Sequence, residues 1–389
     1  MKLVKRRLWQ DAMASPSHLS ALSSHVLGRT PLRRAAAICT CWVAIAAQAQ
    51  PNPAGFVPGH VFFSARGACG DGFDSALFEL DPETGERWLW KTHLDGLICP
   101  DGLRFTPDGR YLRILDFGAS RIWDMDAQGN LILRYSVLAP AGGNGLIWDR
   151  QGTFYCTVNV SGQLFYFPGD QLPGFGGPAM SAGGLARTRS GRLLAANGWL
   201  KEFTTSSLTL LQQFGPIGGA KSIVIDRSNN WYVATSEQPL GRLYKYPNGN
   251  LATPQLLATN YQRGGYITLA LSPDQNTLYV GSSTIYAMDP NTGAVQESWP
   301  EVPHPHPDLF YRMPVGMAVY DPPKPGDLNC DGFIDNFDID PFLLALTGDA
   351  DYELRYFFCD ANLADVNQDG QADLFDIDPF IQRLIHEAP

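Results

Sequence analysis

The chain has 389 residues, of which 44% are hydrophobic and 17% charged, a composition that excludes an intrinsically disordered protein. Its 39 glycines, 29 prolines and 12% aromatic residues favour a turn-rich β protein and exclude a coiled coil or a collagen. The formal net charge of -10 is concentrated in residues 326–389, which hold 15 Asp/Glu and 2 Arg. Such a tail repels phosphate, so we expect no nucleic-acid partner.

Residues 1–49 are predicted to be a signal peptide. Basic residues precede an apolar run at residues 35–47, and Ala47-Gln48-Ala49 fits the small-residue rule for cleavage. The run is shorter than the roughly 20 residues that span a bilayer, which disfavours the alternative of a membrane anchor. Translation starts at Met1 or Met13, and we expect a secreted or cell-surface protein with no membrane span after cleavage.

Residues 50–321 contain a repeated pattern that predicts a β-propeller. In each copy a turn leads into an apolar strand, a polar Asp/Gly turn, a second apolar strand and a third strand. The copies begin at residues 101, 144, 183, 220 and 266, at intervals of 43, 39, 37 and 46 residues. These intervals have the length of one four-stranded blade.

Two partial copies at the ends of this region are predicted to complete one more blade. Strand-like segments at residues 61–64, 76–81 and 86–90 precede the first full copy, and residues 315–320 follow the last. Pairing of the C-terminal strand with the N-terminal ones would remove the exposed edges of an open ring. The expected fold is therefore mainly β with six blades, and five or seven blades are the alternatives because one turn is irregular.

Residues 100–109 (PDGLRFTPDG) and 79–85 (ELDPETG) resemble segments of the six-bladed NHL-repeat and gluconolactonase-like propellers. In lactonase-like propellers, several inner strands begin with a residue whose oxygen reaches a divalent cation, and the resemblance makes Asp101 and Asn144 candidate catalytic ligands. The inner strands of the other blades offer no carboxylate at this place. We therefore expect a recognition or scaffold domain, and a metal-dependent or glycan-acting hydrolase is the alternative.

The loops of a propeller offer a broad face to a glycan or protein ligand. Five tryptophans are candidates for stacking on sugar rings, although their strand positions favour packing between blades: Trp88, Trp90, Trp148, Trp199 and Trp231.

Five cysteines remain after cleavage, so at least one is unpaired. Cys330 and Cys359 both lie in the acidic tail and are predicted to form a disulfide. Cys69 and Cys99 lie in two loops of the first blade and form a second candidate pair. Cys156 lies in a strand-like segment and is expected to be a buried core residue.

After a proline-rich linker at residues 322–326, the tail matches the twelve-residue calcium loop twice. In this loop, positions 1, 3, 5, 9 and 12 carry oxygen side chains, position 6 is glycine and position 7 supplies a backbone carbonyl. The predicted ligands are Asp327, Asn329, Asp331, Phe333, Asp335 and Asp338 in loop 1, and Asp365, Asn367, Asp369, Gln371, Asp373 and Asp376 in loop 2. A merely solvated acidic tail would not repeat the glycine and the oxygens in register. Two bound calcium ions are therefore predicted.

Each loop is predicted to enter a helix, with Asp340 and Asp378 as N-caps and a proline at the first helical position. This duplicated loop–helix unit at residues 327–389 resembles a type I dockerin. The resemblance implies a small α-helical domain that folds on binding calcium and docks the protein to a cohesin-like or other surface partner, often in polysaccharide degradation. Loop positions 10 and 11, commonly Ser/Thr in dockerins, are Asn336-Phe337 and Leu374-Phe375 here.

Overall fold

The structure is a computed structural model. It describes residues 49–65, 75–116, 119–136, 145–157, 164–170, 174–176, 183–214, 219–236, 241–261, 268–282, 284–300, 314–348 and 350–387. The predicted signal peptide except its last residue, Cys69 and Asn144 lie outside the described residues.

The repeats form four-stranded antiparallel sheets, six of which lie in the described part of the chain. The first strands are β1 (Val61–Ala65), β2 (Ala76–Leu80) and β3 (Arg87–Thr92). Three blades follow: β4 (Pro100–Phe105), β5 (Tyr111–Asp116), β6 (Arg121–Asp126) and β7 (Leu131–Ser136); β8 (Leu146–Trp148), β9 (Phe154–Thr157), β10 (Leu164–Phe167) and β11 (Gly174–Gly176); β12 (Gly184–Arg187), β13 (Leu193–Asn197), β14 (Trp199–Phe203) and β15 (Leu210–Phe214).

Two further blades precede the last strand of the ring. They consist of β16 (Ala220–Ile225), β17 (Trp231–Thr235), β18 (Gly241–Tyr246) and β19 (Gln255–Tyr261), and of β20 (Thr268–Leu271), β21 (Leu278–Gly281), β22 (Ile285–Met288) and β23 (Val295–Trp299). The chain then returns as β24 (Pro314–Val319).

The ring is closed by the pairing that the partial copies predict. β24 pairs antiparallel with β1, with Val61 opposite Val319 and Phe63 opposite Met317, and the strand order of this sheet is β24-β1-β2-β3. One blade is thus shared by both ends of the propeller, so no open sheet edge remains where the ring meets itself. The prediction of a six-bladed propeller is confirmed.

Polar turns join the strands within each blade in the way that the repeat indicates. The side chain of Asp126 accepts hydrogen bonds from the backbone N–H groups of Gln128 and Asn130, and Asp226 accepts one from the N–H of Asn230. Such side-chain bonds satisfy turn amides that would otherwise face solvent unpaired. The Asp of the repeat therefore fixes the hairpin and, with it, the strand register.

Hydrophobic side chains from neighbouring blades pack against each other and form the core. Leu115 and Ile122 of the second blade, for example, lie against Phe154 and Phe165 of the third. Three of the five tryptophans, Trp90, Trp148 and Trp231, are buried in clusters of this kind, whereas 40% of Trp199 is exposed. Burial of such large rings supplies much of the stability of the ring of blades.

A buried ion network ties the second blade to the third. Arg113 donates to Asp124 at 2.7 Å from Nε and to Asp170 at 2.7 Å from Nη1. Burial opposes ionisation of Asp170, but the guanidinium of Arg113 holds the pKa of this carboxyl well below its usual range.

Residues 327–387 form a small helical unit with its own hydrophobic core. Its helices are α1 (Ile339–Leu346), α2 (Ala350–Arg355) and α3 (Ile377–Glu387), with short 3-10 helices at Asn336–Asp338, Ala361–Ala364 and Leu374–Asp376. Phe342 of α1 and Phe380 of α3, which have the same offset from their loops, stack with ring centroids 4.0 Å apart. The tail therefore contains the small α-helical domain that the sequence predicts.

The predicted helix caps are wrong by about one turn. Asp340 and Asp378 lie in the first turns of α1 and α3. The residues that cap the helical segments are Asp335 and Asp373, which accept hydrogen bonds from the N–H groups of Phe337 and Phe375. The chain begins to wind before each loop is complete, so the last loop residues already belong to the helical segment.

The cysteines agree with the expected pairing where the structure describes them. Cys330 and Cys359 form a disulfide, as predicted. Cys99 is disulfide-bonded, and Cys69, its predicted partner, lies outside the described residues. Cys156 is free and buried, and its burial raises the pKa of the thiol to about 12. No helix in the described ranges is long and apolar enough to cross a membrane.

Candidate metal centre

The two acidic loops have the same backbone hydrogen bonds. In loop 1, the carboxylate of Asp327 accepts from the N–H groups of Asp331 and Gly332, at 3.0 and 2.9 Å. In loop 2, Asp365 accepts from Asp369 and Gly370 at 3.1 and 2.9 Å. In both loops, the carboxylate at position 1 thus bonds to the backbone amides of positions 5 and 6 and stabilises the same tight turn.

The last residue of each loop closes it in the same way. Asp338 accepts from the N–H groups of Asn329 and Asp335, at 3.1 and 2.9 Å. Asp376, at the equivalent position, accepts from Asn367 and Asp373, at 2.9 Å in both cases. The oxygens at positions 3, 5 and 9 also bond to equivalent amides in both loops.

The backbone conformation at the predicted glycine is also shared. Gly332 and Gly370 have φ angles of +87° and +95°, which L residues rarely adopt. Position 4 lies in the left-handed region in both loops as well, with Cys330 at +47° and Gln368 at +61°. The sharp turn that a calcium loop needs at its centre is therefore present twice.

Burial distinguishes the two loops. In loop 1, Asp327, Asn329, Asp335 and Asp338 are buried, whereas in loop 2 only Asp376 among the predicted side-chain ligands is buried. Burial and the charges of Asp338 and Asp331 raise the pKa of Asp327 well above its usual range, and burial is the main cause that raises the pKa of Asp338 to about 7. Loop 1 therefore concentrates carboxylates where water solvates them poorly.

The donor types of both loops fit calcium. Each offers carboxylates, one amide oxygen and the backbone carbonyl of position 7, all of them hard oxygen ligands. Within the described ranges, no three His, Cys, Asp or Glu side chains converge closely enough to hold a metal ion. Two of the predicted ligands of loop 1, the side chain of Asn329 and the backbone carbonyl of Phe333, are not His, Cys, Asp or Glu side chains. Calcium binding stays a prediction.

Loop 1 is held by two arginines of the propeller. Arg150, in the turn after β8, donates from Nε to the carboxylate of Asp331 at 2.6 Å, and Arg187, at the end of β12, donates to the backbone oxygen of Asp331 at 2.7 Å. The guanidinium of Arg150 also lies over the ring of Phe337, 3.8 Å from its centroid. Position 5 of loop 1 is thus an anchor between the two domains.

Other contacts fasten the helical unit to the propeller and to the linker. The ring of Phe358 packs against Gly152, where an added Cβ would overlap the ring. The predicted linker is fixed as well, because Arg383 donates to the carbonyl of Pro325 at 2.9 Å and Gly326 donates to that of Leu363 at 2.8 Å. The linker therefore joins two parts that are in direct contact.

Loop 2 has a different environment. No hydrogen bond, ion pair or ring contact joins its predicted ligands to a propeller residue that the structure describes. Leu374 and Phe375, at positions 10 and 11, are each 78% exposed. Phe337, the counterpart of Phe375, lies beneath Arg150 and is 57% exposed.

Of the two candidate catalytic residues of the propeller, the structure describes only Asp101. Asp101 is buried near the start of β4, and Asn144 lies outside the described residues. The cavity at the opposite end of the inner strands does not include Asp101 in its lining. The hydrolase alternative therefore stays a prediction.

Two cavities lie where loop 1 meets the propeller. An open groove of about 670 Å³ has a largely polar lining that includes Trp231, Asn229, Glu202 and Phe337. A second cavity of about 310 Å³ lies at the C-terminal ends of the inner strands, where Arg104 and Arg187 face loop 1. The sequence analysis did not single out Arg104, Arg150 or Arg187, because no local motif marks a residue whose partner lies far away in the chain.

No protein-family description and no curated protein sequence matches the chain. Among solved structures, it is similar to a chain of the Nidogen/Laminin complex, with 13% identity and a TM-score of 0.52 over 68% of this chain and 99% of that one. It is also similar to TolB from Acinetobacter baumannii, with 10% identity and a TM-score of 0.51 over 67% of this chain and 66% of that one. Identities this low establish the propeller fold alone, so the NHL or gluconolactonase type stays a prediction.

Proposed function

We propose that this protein is an exported propeller that recognises a glycan or protein ligand and carries a dockerin-like module with two calcium ions. The observation that supports this function best is the repetition, 38 residues apart, of one pattern of oxygen side chains with one set of backbone hydrogen bonds. Chance acidity in a tail does not explain why both loops bend at the same position around the same residue types.

Calcium would be held by the predicted ligands of each loop, from Asp327 to Asp338 and from Asp365 to Asp376. The ion supplies positive charge at the centre of a set of carboxylates that otherwise repel one another. This need is greatest in loop 1, where Asp338 is 0% exposed and Asp327 is buried beside it. Burying such charges without a cation is costly, which favours metal binding at this loop.

The free half of the module is proposed to dock to a cohesin-like protein on a scaffold or surface. Leu374 and Phe375 at the end of loop 2 and Ile385 of α3 are exposed apolar residues on this half. Exposed apolar side chains beside charged groups are typical of protein interfaces. A place in polysaccharide degradation follows from the dockerin resemblance, and the disulfide Cys330–Cys359 supports export.

The propeller is proposed to bind the ligand itself. Its polar groove beside loop 1 contains amide, hydroxyl and carboxylate groups together with the exposed ring of Phe337 and the largely buried Trp231, a combination that suits a glycan or a polar protein segment. A propeller of similar fold was solved as part of the Nidogen/Laminin complex, which supports a role in recognition.

Native mass spectrometry of the full chain in calcium-containing buffer tests the calcium assignment. We expect two ions in the wild type, one in Asp338→Ala and one in Asp376→Ala, because each variant removes the residue that closes one loop. The double variant should bind none. A wild-type chain without calcium, or variants that keep both ions, would refute the assignment.

Docking is tested with a purified cohesin domain and the full chain. We expect calcium-dependent binding that the Phe375→Ser and Leu374→Ser double variant abolishes, because both side chains are exposed. The matched Phe337→Ser variant should still bind, because Phe337 lies under Arg150. Equal binding by all three proteins would place the interface elsewhere.

A further inference from the structure

The cavity at the end of the central channel is lined by several charged residues, and one of them is an arginine with no described ion pair. Arg104, near the end of β4, lines this cavity, and no hydrogen bond or ion pair joins its guanidinium to any residue that the structure describes. Arg104 has an exposed surface and lines this cavity, and the surrounding protein, followed by the charge of Arg187, lowers its pKa to about 10. The like charge of Arg187 opposes protonation of the Arg104 guanidinium.

Other inward-facing arginines of this protein have acidic partners. Arg113 is paired with Asp124 and Asp170, and Arg150 is paired with Asp331. Arg187 lines the same cavity as Arg104 and donates to the backbone oxygen of Asp331. Arg227, in the same cavity, also has no ion pair that the structure describes, but its guanidinium donates to the backbone oxygen of Pro273, whereas Arg104 has no described hydrogen bond and lies beside a second guanidinium.

The rest of the cavity suits the body of a small organic molecule. Inner-strand side chains form most of its wall, and the apolar ones include Leu103, Trp148, Ile223, Leu271 and Met317. Loop 1 and the segment before it form another part of the wall, which contains Lys324 and the carboxylates of Asp321, Asp327 and Asp331. The volume of about 310 Å³ lies within the range of small-molecule sites, which are largely apolar with a few polar groups that fix orientation.

We propose that Arg104 and Arg187 together bind the oxyanion group of a small organic acid, whose apolar body lies against the inner strands. A carboxylate or a phosphate monoester between the two guanidiniums would accept charge-assisted hydrogen bonds from both and remove their mutual repulsion. This site goes beyond the calcium module and the docking role, because its two binding residues belong to the propeller.

Isothermal titration calorimetry of the full chain with benzoate, phenyl phosphate and neutral benzamide tests this site. We expect saturable binding of at least one of the two anions and none of benzamide, because the charged group makes the decisive contacts. The anion that binds more tightly identifies the head group. Equal binding of benzamide, or no saturable binding of either anion, would overturn the proposal.

Variants of the arginine assign the binding to this cavity. Arg104→Met should weaken anion binding by about tenfold or more, since hydrogen bonds to charged groups are lost. Arg104→Lys should restore part of the affinity. The control Arg192→Met changes a half-exposed arginine of the same blade as Arg187, paired with Glu202, and should leave the affinity unchanged. Wild-type affinity in Arg104→Met would exclude this site.

Two features of the experiment distinguish a loss of anion binding from misfolding and from failure of the calcium assignment. Arg104 has no described partner to lose, so Arg104→Met is expected to fold and to unfold at the wild-type temperature or above it. The titrations are run with calcium and again with EGTA, and the number of bound calcium ions is measured separately. A chain that binds no calcium but binds benzoate through Arg104 would refute the calcium assignment and support the anion site.

Discussion

The two acidic loops of the module have the same pattern of oxygen side chains and equivalent backbone hydrogen bonds, yet they lie in different surroundings. Loop 1 is buried against the propeller, and its Asp331 is bonded to Arg150 and Arg187. Loop 2 has no such partner in the described part of the chain, and Leu374 and Phe375 at its end are exposed. Within the described residues, the half that contains loop 1 is thus fastened to the propeller, and no such contact is seen at loop 2.

This difference suggests a division of labour between two nearly equivalent halves. The half that contains loop 1 fixes the position of the module on the propeller and closes one end of the channel cavity. In the half that contains loop 2, Leu374, Phe375 and Ile385 are exposed, and these are the residues proposed to bind a partner. The comparison predicts that matched substitutions in the two halves have unequal consequences.

The largest effect is expected from removing the closing carboxylate of each loop. At calcium about 1,000-fold above the dissociation constant, a bound ion stabilises the folded state by about 4 kcal/mol. Asp338→Ala and Asp376→Ala should each lose about this much of the free energy of unfolding of the module, measured by chemical denaturation with calcium.

Only Asp338→Ala should also release the module from the propeller, because Asp338 closes the loop that contains Asp331. Limited proteolysis at residues 322–326 measures this release. Equal protection of the linker in the two variants would show that the order of loop 1 does not hold the domains together.

A smaller effect is expected from filling the contact at Gly152. Gly152 and Gly191 both have positive φ, at +73° and +77°, but a Cβ overlaps Phe358 at Gly152 and meets nothing within 4 Å at Gly191. Gly191→Ala should cost about 1 kcal/mol from backbone strain alone. Gly152→Ala should cost about 1–3 kcal/mol more because the ring must move. Thermal unfolding measures the loss of stability in both variants. An equal loss in Gly152→Ala and Gly191→Ala would mean that Phe358 does not fasten the module.

Arg150 is expected to weaken calcium binding at loop 1. Its guanidinium lies 2.6 Å from the Asp331 carboxylate and repels an ion held by the same group. Arg150→Met should tighten calcium binding by about fivefold, which corresponds to about 1 kcal/mol. Calorimetry in an Asp376→Ala background reports loop 1 alone, and Arg192→Met is the control. Weaker calcium binding in Arg150→Met would mean that the arginine orders the loop more than it repels the ion.

The smallest effect is expected from the paired phenylalanines. Phe337→Ser removes the ring under Arg150, a contact worth about 0.5–1 kcal/mol. Phe375→Ser changes a side chain that is 78% exposed and should alter stability by less than about 0.5 kcal/mol. Denaturation midpoints of the two variants provide the test. A larger loss of stability in Phe375→Ser than in Phe337→Ser would mean that the half with loop 2, and not the half with loop 1, is the one held by contacts within the protein.

Much of the fold can be predicted from the sequence because its signals are local and repeated. The spacing of the copies that begin at residues 101, 144, 183, 220 and 266 predicts the blades, and the two partial copies predict the pairing of β24 with β1. The helix caps are the exception. Asp335 and Asp373 serve as caps because the loops tighten into helical turns before the prolines, which residue preference alone does not reveal.

The candidate site could be predicted only in part, because only some of its features depend on a local sequence pattern. The ligand positions of both loops follow from a twelve-residue pattern, whereas the contact between Arg150 and Asp331 joins residues 181 positions apart. Nothing in the neighbourhood of Arg104 indicates that its side chain faces a cavity without an acidic partner. Such properties arise when distant segments meet, so a search for motifs does not find them.

The sequence by itself determined the propeller repeat, the disulfide between Cys330 and Cys359, and the equivalence of the two acidic loops, because each depends on residue types at short or regular spacing. Only the tertiary structure decided which loop is buried, which apolar residues remain exposed and which arginines meet the loop. Two loops with the same local pattern form the same local hydrogen bonds, but burial and charge pairing depend on what packs against them.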